Sequence, residues 1–152
     1  MDELRADFAE AKQYIVIKLG HEQYGIEIKY IDNIVRMQHI TRVPKVAPYL
    51  KGVINLRGEV LPVMSLRVKM GLEEDEMTKS TRIIILKVEG NETTGVLVDE
   101  VREVLTLGPE QIEKVNRNAN DEKAGFVSEI GQYNGELISL LDLNACLTDK
   151  EN

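Results

Sequence analysis

The side chains that could do chemistry are few in this sequence. There are two histidines, His21 and His39, and one cysteine, Cys146. His21 falls in a predicted hairpin turn and His39 in a loop before Ile40-Thr41, so a metal site built on both would need carboxylates brought in by the fold. Cys146, between Ala145 and Leu147, has no His or cationic neighbour in the sequence to hold a thiolate and reads as a small buried hydrophobe. The acidic run Glu73-Glu74-Asp75-Glu76 lacks EF-hand spacing and reads as a solvated linker. None of GxxxxGK(S/T), GxGxxG after a strand, GxSxG, HExxH or CxxC occurs, so the common catalytic and phosphate-binding signatures are missing.

One run stands out, Asn55-Leu56-Arg57-Gly58, flanked by GVI and EVLPV. Apolar alternation on both sides predicts a β-hairpin with this run at its tip, and Gly58 supplies the left-handed conformation that a tight turn needs. A turn alone would explain the glycine but not Arg57. An arginine there is either solvated or offers its planar five-donor fork to a partner's carboxylate.

The elements that must hold this tip are mostly strands. Residues 14–19 and 24–28 read as a hairpin around Gly20-His21-Glu22-Gln23, and GVINLRG with VLPVMSL, TRIIILKVEG with TTGVLVDEV, and FVSEIG with ELISLLDL give more β signals. Helices are expected to be short, at residues 31–35, 65–70 and after Asp142. An amphipathic opening carries Leu4, Phe8 and Ala11 on one side. The chain also resembles itself. Residues 24–35 align without a gap to residues 94–105, with Gly25 on Gly95 and five aliphatic positions shared, and residues 58–66 align to residues 135–143. The second copy places Tyr133-Asn134-Gly135 at the tip where the first has Leu56-Arg57-Gly58, and Asn-Gly is what turn physics alone would select.

The expected architecture is therefore all-β with a few short helices: two pseudo-repeated small β-barrels packed face to face over a shared apolar seam. One barrel would span residues 13–72 and the other residues 78–147, with strands free to be exchanged between them and tails at 1–12 and 148–152. The acidic, turn-rich residues 71–80 mark the boundary. Each half is too small to be comfortably stable alone, which favours packing of the copies on each other.

Composition narrows the function further. The 152 residues include 26 acidic and 19 basic ones, a formal net charge of −7, which argues against a nucleic-acid module. A lone cysteine forms no intramolecular disulfide, no apolar run approaches a membrane span, and the acidic N-terminus is unlike a signal peptide, so a cytoplasmic address is expected.

The run GVINLRGEVLPVMSL, with Tyr24-Gly25-Ile26-Glu27-Ile28 and Val43-Pro44 before it and Gly95-Val96-Leu97-Val98-Asp99 and Val104-Leu105 after it, resembles the CheW family of bacterial chemotaxis coupling proteins. The resemblance covers about Gln13 to Leu147. It implies a non-enzymatic, cofactor-free adaptor of two five-stranded SH3-like β-barrels, packed over a shared hydrophobic core, that joins chemoreceptor cytoplasmic tips to the regulatory domain of the histidine kinase CheA. Such an adaptor inserts no segment into the membrane but is recruited to membrane-associated receptor arrays. Receptor-binding positions carried over by the resemblance are Ile31, Asn33, Gly52, Arg57 and Val104, with Asn33 standing where a Glu is common in the family; the kinase-facing surface is expected near Ile28 and Ile31. The fold also occurs as a kinase regulatory domain and fused to receivers, and a chain of this length is expected to be a free-standing coupler. The competing reading is a small-molecule- or metal-dependent enzyme with a cleft between the β units, resting on the available carboxylates and the two histidines.

Overall fold

The computed structural model describes residues 11–115 and 125–148; Leu4 and Phe8 of the amphipathic opening lie outside them. Eleven strands form two sheets among the described residues. They are β1 (Lys12–Leu19), β2 (Glu22–Glu27), β3 (Ile31–Arg36), β4 (Leu50–Leu56), β5 (Glu59–Ser65), β6 (Arg82–Leu86), β7 (Thr94–Val98), β8 (Glu100–Leu107), β9 (Ile112–Lys114), β10 (Val127–Tyr133) and β11 (Glu136–Leu141). Two short helices, α1 (Leu66–Lys69) and α2 (Leu143–Leu147), follow β5 and β11.

Strand order is β8-β1-β2-β11-β10-β9 in one sheet and β3-β6-β7-β5-β4 in the other. Mapping the second sequence copy onto the first turns one order into the other, with β9 as a sixth, three-residue addition. The hairpin β1–β2 pairs with strands from the second half of the sequence, and β6–β7 with strands from the first. The equivalence reaches single residues: Leu140 stands beside Gly25 in the parallel pair of one sheet, and Val63 beside Gly95 in the other. Each glycine is required by packing, because a Cβ on Gly25 would lie 2.7 Å from Leu140 Cδ2 and one on Gly95 2.7 Å from Ile83 Cγ2.

Both sheets curl into barrels. β8 and β9 occupy opposite edges although only a 3₁₀ turn, Pro109–Gln111, joins them, so the sheet must wrap round for β9 to pair with β10. In the five-stranded sheet the chain after β3 does the same: the backbones of Thr41 and Val53 exchange two 2.8 Å hydrogen bonds.

This arrangement explains why the strand runs IVI and IIIL are continuously apolar. Tyr14 and Val16 fill one barrel with Leu105, Leu107, Ile138 and Leu140, while the alternate residues Ile15, Ile17 and Leu19 face the other unit. In β6, Ile83 and Ile85 point into their barrel and Ile84 and Leu86 into the shared core. A strand covered on both faces has no need of polar alternation.

The repeat extends to the caps. Ser65 accepts the Val68 N–H at 3.1 Å and Asp142 the Ala145 N–H at 3.2 Å, each starting a helix after the last strand of its sheet. The predicted helix at residues 31–35 is overturned. Those residues form β3, since Ile31, Ile34 and Val35 are β-branched and find ladder partners on β6; their spacing suits a helix face equally well, and pairing decides. Of the acidic run, Glu73, Glu74 and Glu76 are exposed, as a solvated linker requires, and Glu74 pairs with Lys51 at 2.6 Å at the surface; Asp75 departs from this, half-buried and accepting a hydrogen bond from the Ser65 hydroxyl.

Candidate partner-binding surface

Arg57 and Gly58 form the two-residue loop between β4 and β5, with φ of 53° and 85°. Two positive φ values in succession define the hairpin turn whose twist matches that of its strands. Asn134 and Gly135 do the same between β10 and β11, at 51° and 80°. The Asn55 side chain accepts the Gly58 N–H at 3.1 Å and stiffens the tip. Arg57 is exposed and makes no hydrogen bond or ion pair with the described residues, so its guanidinium points outward from a braced turn.

The other positions carried over from the resemblance are spread over both units. Ile31 and Asn33 lie on β3, Gly52 on β4, and Val104 on β8 of the other sheet. Ile31 is half-buried against the shared core and sits three residues after Ile28, which opens a 3₁₀ turn (Ile28–Tyr30) packed on the same core. Asn33 is half-buried, and its Oδ1 accepts the Ile34 N–H at 2.9 Å beside a register shift in β3. Val104 is 54% exposed, an apolar side chain on an outward strand face. Gly52 is buried at a bulge with φ 143°, and a Cβ there would lie 2.1 Å from the Thr41 carbonyl oxygen. The backbone that approaches Gly52 is therefore the chain's own, at the contact that closes the barrel.

Sequence reasoning missed the loop that follows β3. Val43, Val46 and Met77 are exposed, and with Pro44 and Lys45 they border an open groove of about 900 Å³. The two prolines, Pro44 and Pro48, spaced through a run without apolar periodicity, were the available signal. His21 lies in the β1–β2 turn and His39 in the loop after β3, both exposed and on different units. Cys146 is wholly buried in α2, and burial pushes its thiol up to about 12, which keeps it protonated and unreactive.

The two units are tied at one end. Arg67 of α1 donates to Asp99 at 2.9 and 2.5 Å, and Asp99 also accepts the Gly20 N–H of the β1–β2 turn at 2.8 Å. Burial works to raise the Asp99 pKa, but the bonds from Arg67 and Gly20 outweigh it and hold the carboxyl below its ordinary value.

Paired SH3-like barrels with apolar and cationic groups presented on braced strands and turns define a small β scaffold that works through its surfaces. A family model described as a CheW-like domain matches residues 13–151. The chain is 36% identical over 149 residues to the chemotaxis protein CheW of Bacillus subtilis (strain 168), covering 98% of this chain and 94% of that one. It is 33% identical over 141 residues to the CheW of Helicobacter pylori, covering 93% and 84% of the two chains. The crystal structure of the scaffolding protein TtCheW from Thermoanaerobacter tengcongensis superposes with a TM-score of 0.79 at 30% identity, covering 86% of this chain and 88% of that one. The chain belongs to the CheW family and is a chemotaxis coupling scaffold.

Proposed function

We propose that the chain joins chemoreceptor cytoplasmic tips to the regulatory domain of the histidine kinase CheA, acting by binding and not by catalysis, at membrane-associated receptor arrays. Arg57 orients the receptor tip, with Ile31, Asn33, Gly52 and Val104 completing that surface, and Ile28 and Ile31 face the kinase. One observation carries the reading: an exposed arginine holds a left-handed turn position that its own repeat fills with Asn, and such a residue is kept for what it touches. Gly52 serves the surface indirectly, by letting Thr41 close the barrel against β4. A helical hairpin tip would lay its apolar face on Ile31 and Val104 while an acidic side chain takes the guanidinium.

The test is a pull-down of a receptor signalling fragment with Arg57→Glu. Receptor capture is lost, while the thermal midpoint and co-elution with the kinase regulatory domain on a sizing column stay as in the parent. Undiminished receptor capture would remove Arg57 from the surface, and failure of the parent protein to co-elute with the kinase domain would remove the kinase from the reading.

A further inference from the structure

Four ladders join the first half of the chain to the second: β1 with β8, β2 with β11, β3 with β6 and β5 with β7. The Arg67–Asp99 ion pair and the 2.9 Å bond from Lys69 Nζ to the Thr148 carbonyl also run from one half to the other. Between halves interlocked in this way the backbone crosses once, over residues 71–81.

Where that crossing is held decides where it opens. The Gly71 and Leu72 N–H groups close α1 by bonding to the Val68 and Arg67 carbonyls. Next, the Glu73 carbonyl accepts from Arg67 at 3.3 Å, Glu74 pairs with Lys51, and Asp75 accepts from the Ser65 hydroxyl. All three partners belong to the first half, so the crossing stays docked on the half it leaves. It bends into the second half only at Thr78–Thr81. There the Thr81 N–H donates to the Thr78 carbonyl at 3.2 Å, the Thr78 N–H to Thr81 Oγ1 at 2.9 Å, and the Ser80 N–H to Thr78 Oγ1 at 3.1 Å. Neither Lys79 nor Ser80 has a positive φ, which makes this a type I turn. Met77 to Ser80 are exposed, and straightening the turn breaks only bonds within residues 78–82.

We propose that the chain exchanges halves with a second copy of itself, with Thr78–Thr81 as the hinge. In the exchanged dimer the first half of each chain is completed by the second half of the other, so all four ladders and the shared core re-form between chains. Only the hinge differs. The balance is set by the concentration of the second copy against the effective concentration, on the order of millimolar, at which a short linker presents a chain's own second half. The closed monomer prevails in dilute solution and the dimer grows as that concentration is approached. Each of the two scaffolds then takes Arg57 from one chain and Val104 from the other. The inference rests on topology and is independent of which partners the surface binds.

The test is complementation between two full-length variants. Val16→Asp places a carboxylate inside the six-stranded barrel from the first half, and Leu97→Asp one inside the five-stranded barrel from the second; both side chains are wholly buried. Each variant alone should be unfolded. Mixed one to one from denaturant, with ¹⁵N only in the Val16→Asp chain, they should give a particle of dimer mass. In it the labelled amides of the second half take native shifts and those of the first half do not. The hinge has its own variant. Proline at the third position of a type I turn forces the preceding residue out of its helical conformation, so Ser80→Pro should raise the dimer association constant by about tenfold. Light scattering after refolding at about 10 µM to about 1 mM reads this in a chain whose core is intact, and it reports even if one buried carboxylate is tolerated. Variants that stay unfolded on mixing, a dimer without that labelling pattern, or Ser80→Pro no more dimeric than the parent would overturn the proposal.

Discussion

Arg57 and Asn134 hold the same backbone conformation at the tips of two equivalent hairpins, and only Asn holds it cheaply. A left-handed residue with a Cβ costs roughly 1–2 kcal/mol, less for Asn, whose short polar side chain bonds locally. Arg57→Asn is therefore expected to leave the urea midpoint unchanged or raise stability by up to about 1 kcal/mol, while receptor capture falls. A clear loss of stability would mean that the arginine serves the fold. Gly52 predicts the opposite pattern. Gly52→Ala drives a Cβ into the Thr41 carbonyl, and the contact that closes the barrel must give way. We expect a loss of about 3 kcal/mol or more by urea denaturation, and a variant as stable as the parent would show that the closure is dispensable. Arg57 was legible in the sequence because its repeat partner shows what a turn alone would choose. The structural need for Gly52 was not, because the atom that forbids a side chain belongs to residue 41, reached only after the chain has turned.

Among elements, the hairpins were legible and the single strands were not. Turn residues and apolar alternation mark β4–β5 and β10–β11 in the sequence, whereas β3 carries Ile31, Ile34 and Val35 at spacings that also fit a helix, and its ladder partner β6 is some fifty residues away. The clasp between α1, the β7–β8 junction and the β1–β2 turn was equally hidden, since Arg67, Asp99 and Gly20 share no local pattern. It has a pH signature. The Asp99 pKa is lower folded than unfolded, so its contribution is complete above the ordinary value of 3.8 and is lost as pH falls through the folded value. Asp75 works the other way: burial, only partly offset by the Ser65 bond, raises its pKa, so its ionised form disfavours folding and protonation near and above 3.8 relieves that strain. Asp99→Asn should thus flatten the fall in urea midpoint between about pH 5 and about pH 2, and Asp75→Asn should steepen it. Parallel curves for both variants and the parent would show that neither carboxylate governs acid stability.

At the scale of the whole molecule, the exchange of hairpins decides how the protein folds. Each sheet takes two of its strands from the other half of the sequence, and the shared core draws Ile15, Ile17 and Leu19 from β1 and Ile84 and Leu86 from β6. Neither half can complete a barrel alone: without β6–β7, strand β3 loses its ladder partner and β5 its parallel neighbour. Fragments 1–76 and 77–152, made separately, should give spectra of unfolded chains, and mixed together they should assemble one to one with the dispersion of the intact protein. For the same reason the intact chain should unfold in one step. Ile84→Ala, which empties part of the core between the units, should cost about 2–5 kcal/mol and lower the transitions reported by both barrels together. Probes at Tyr133 in one unit and at a tryptophan placed at Val60 in the other would follow each barrel; two separated transitions, or a fragment that folds alone, would show that the units are joined only by contact and not by interlocking.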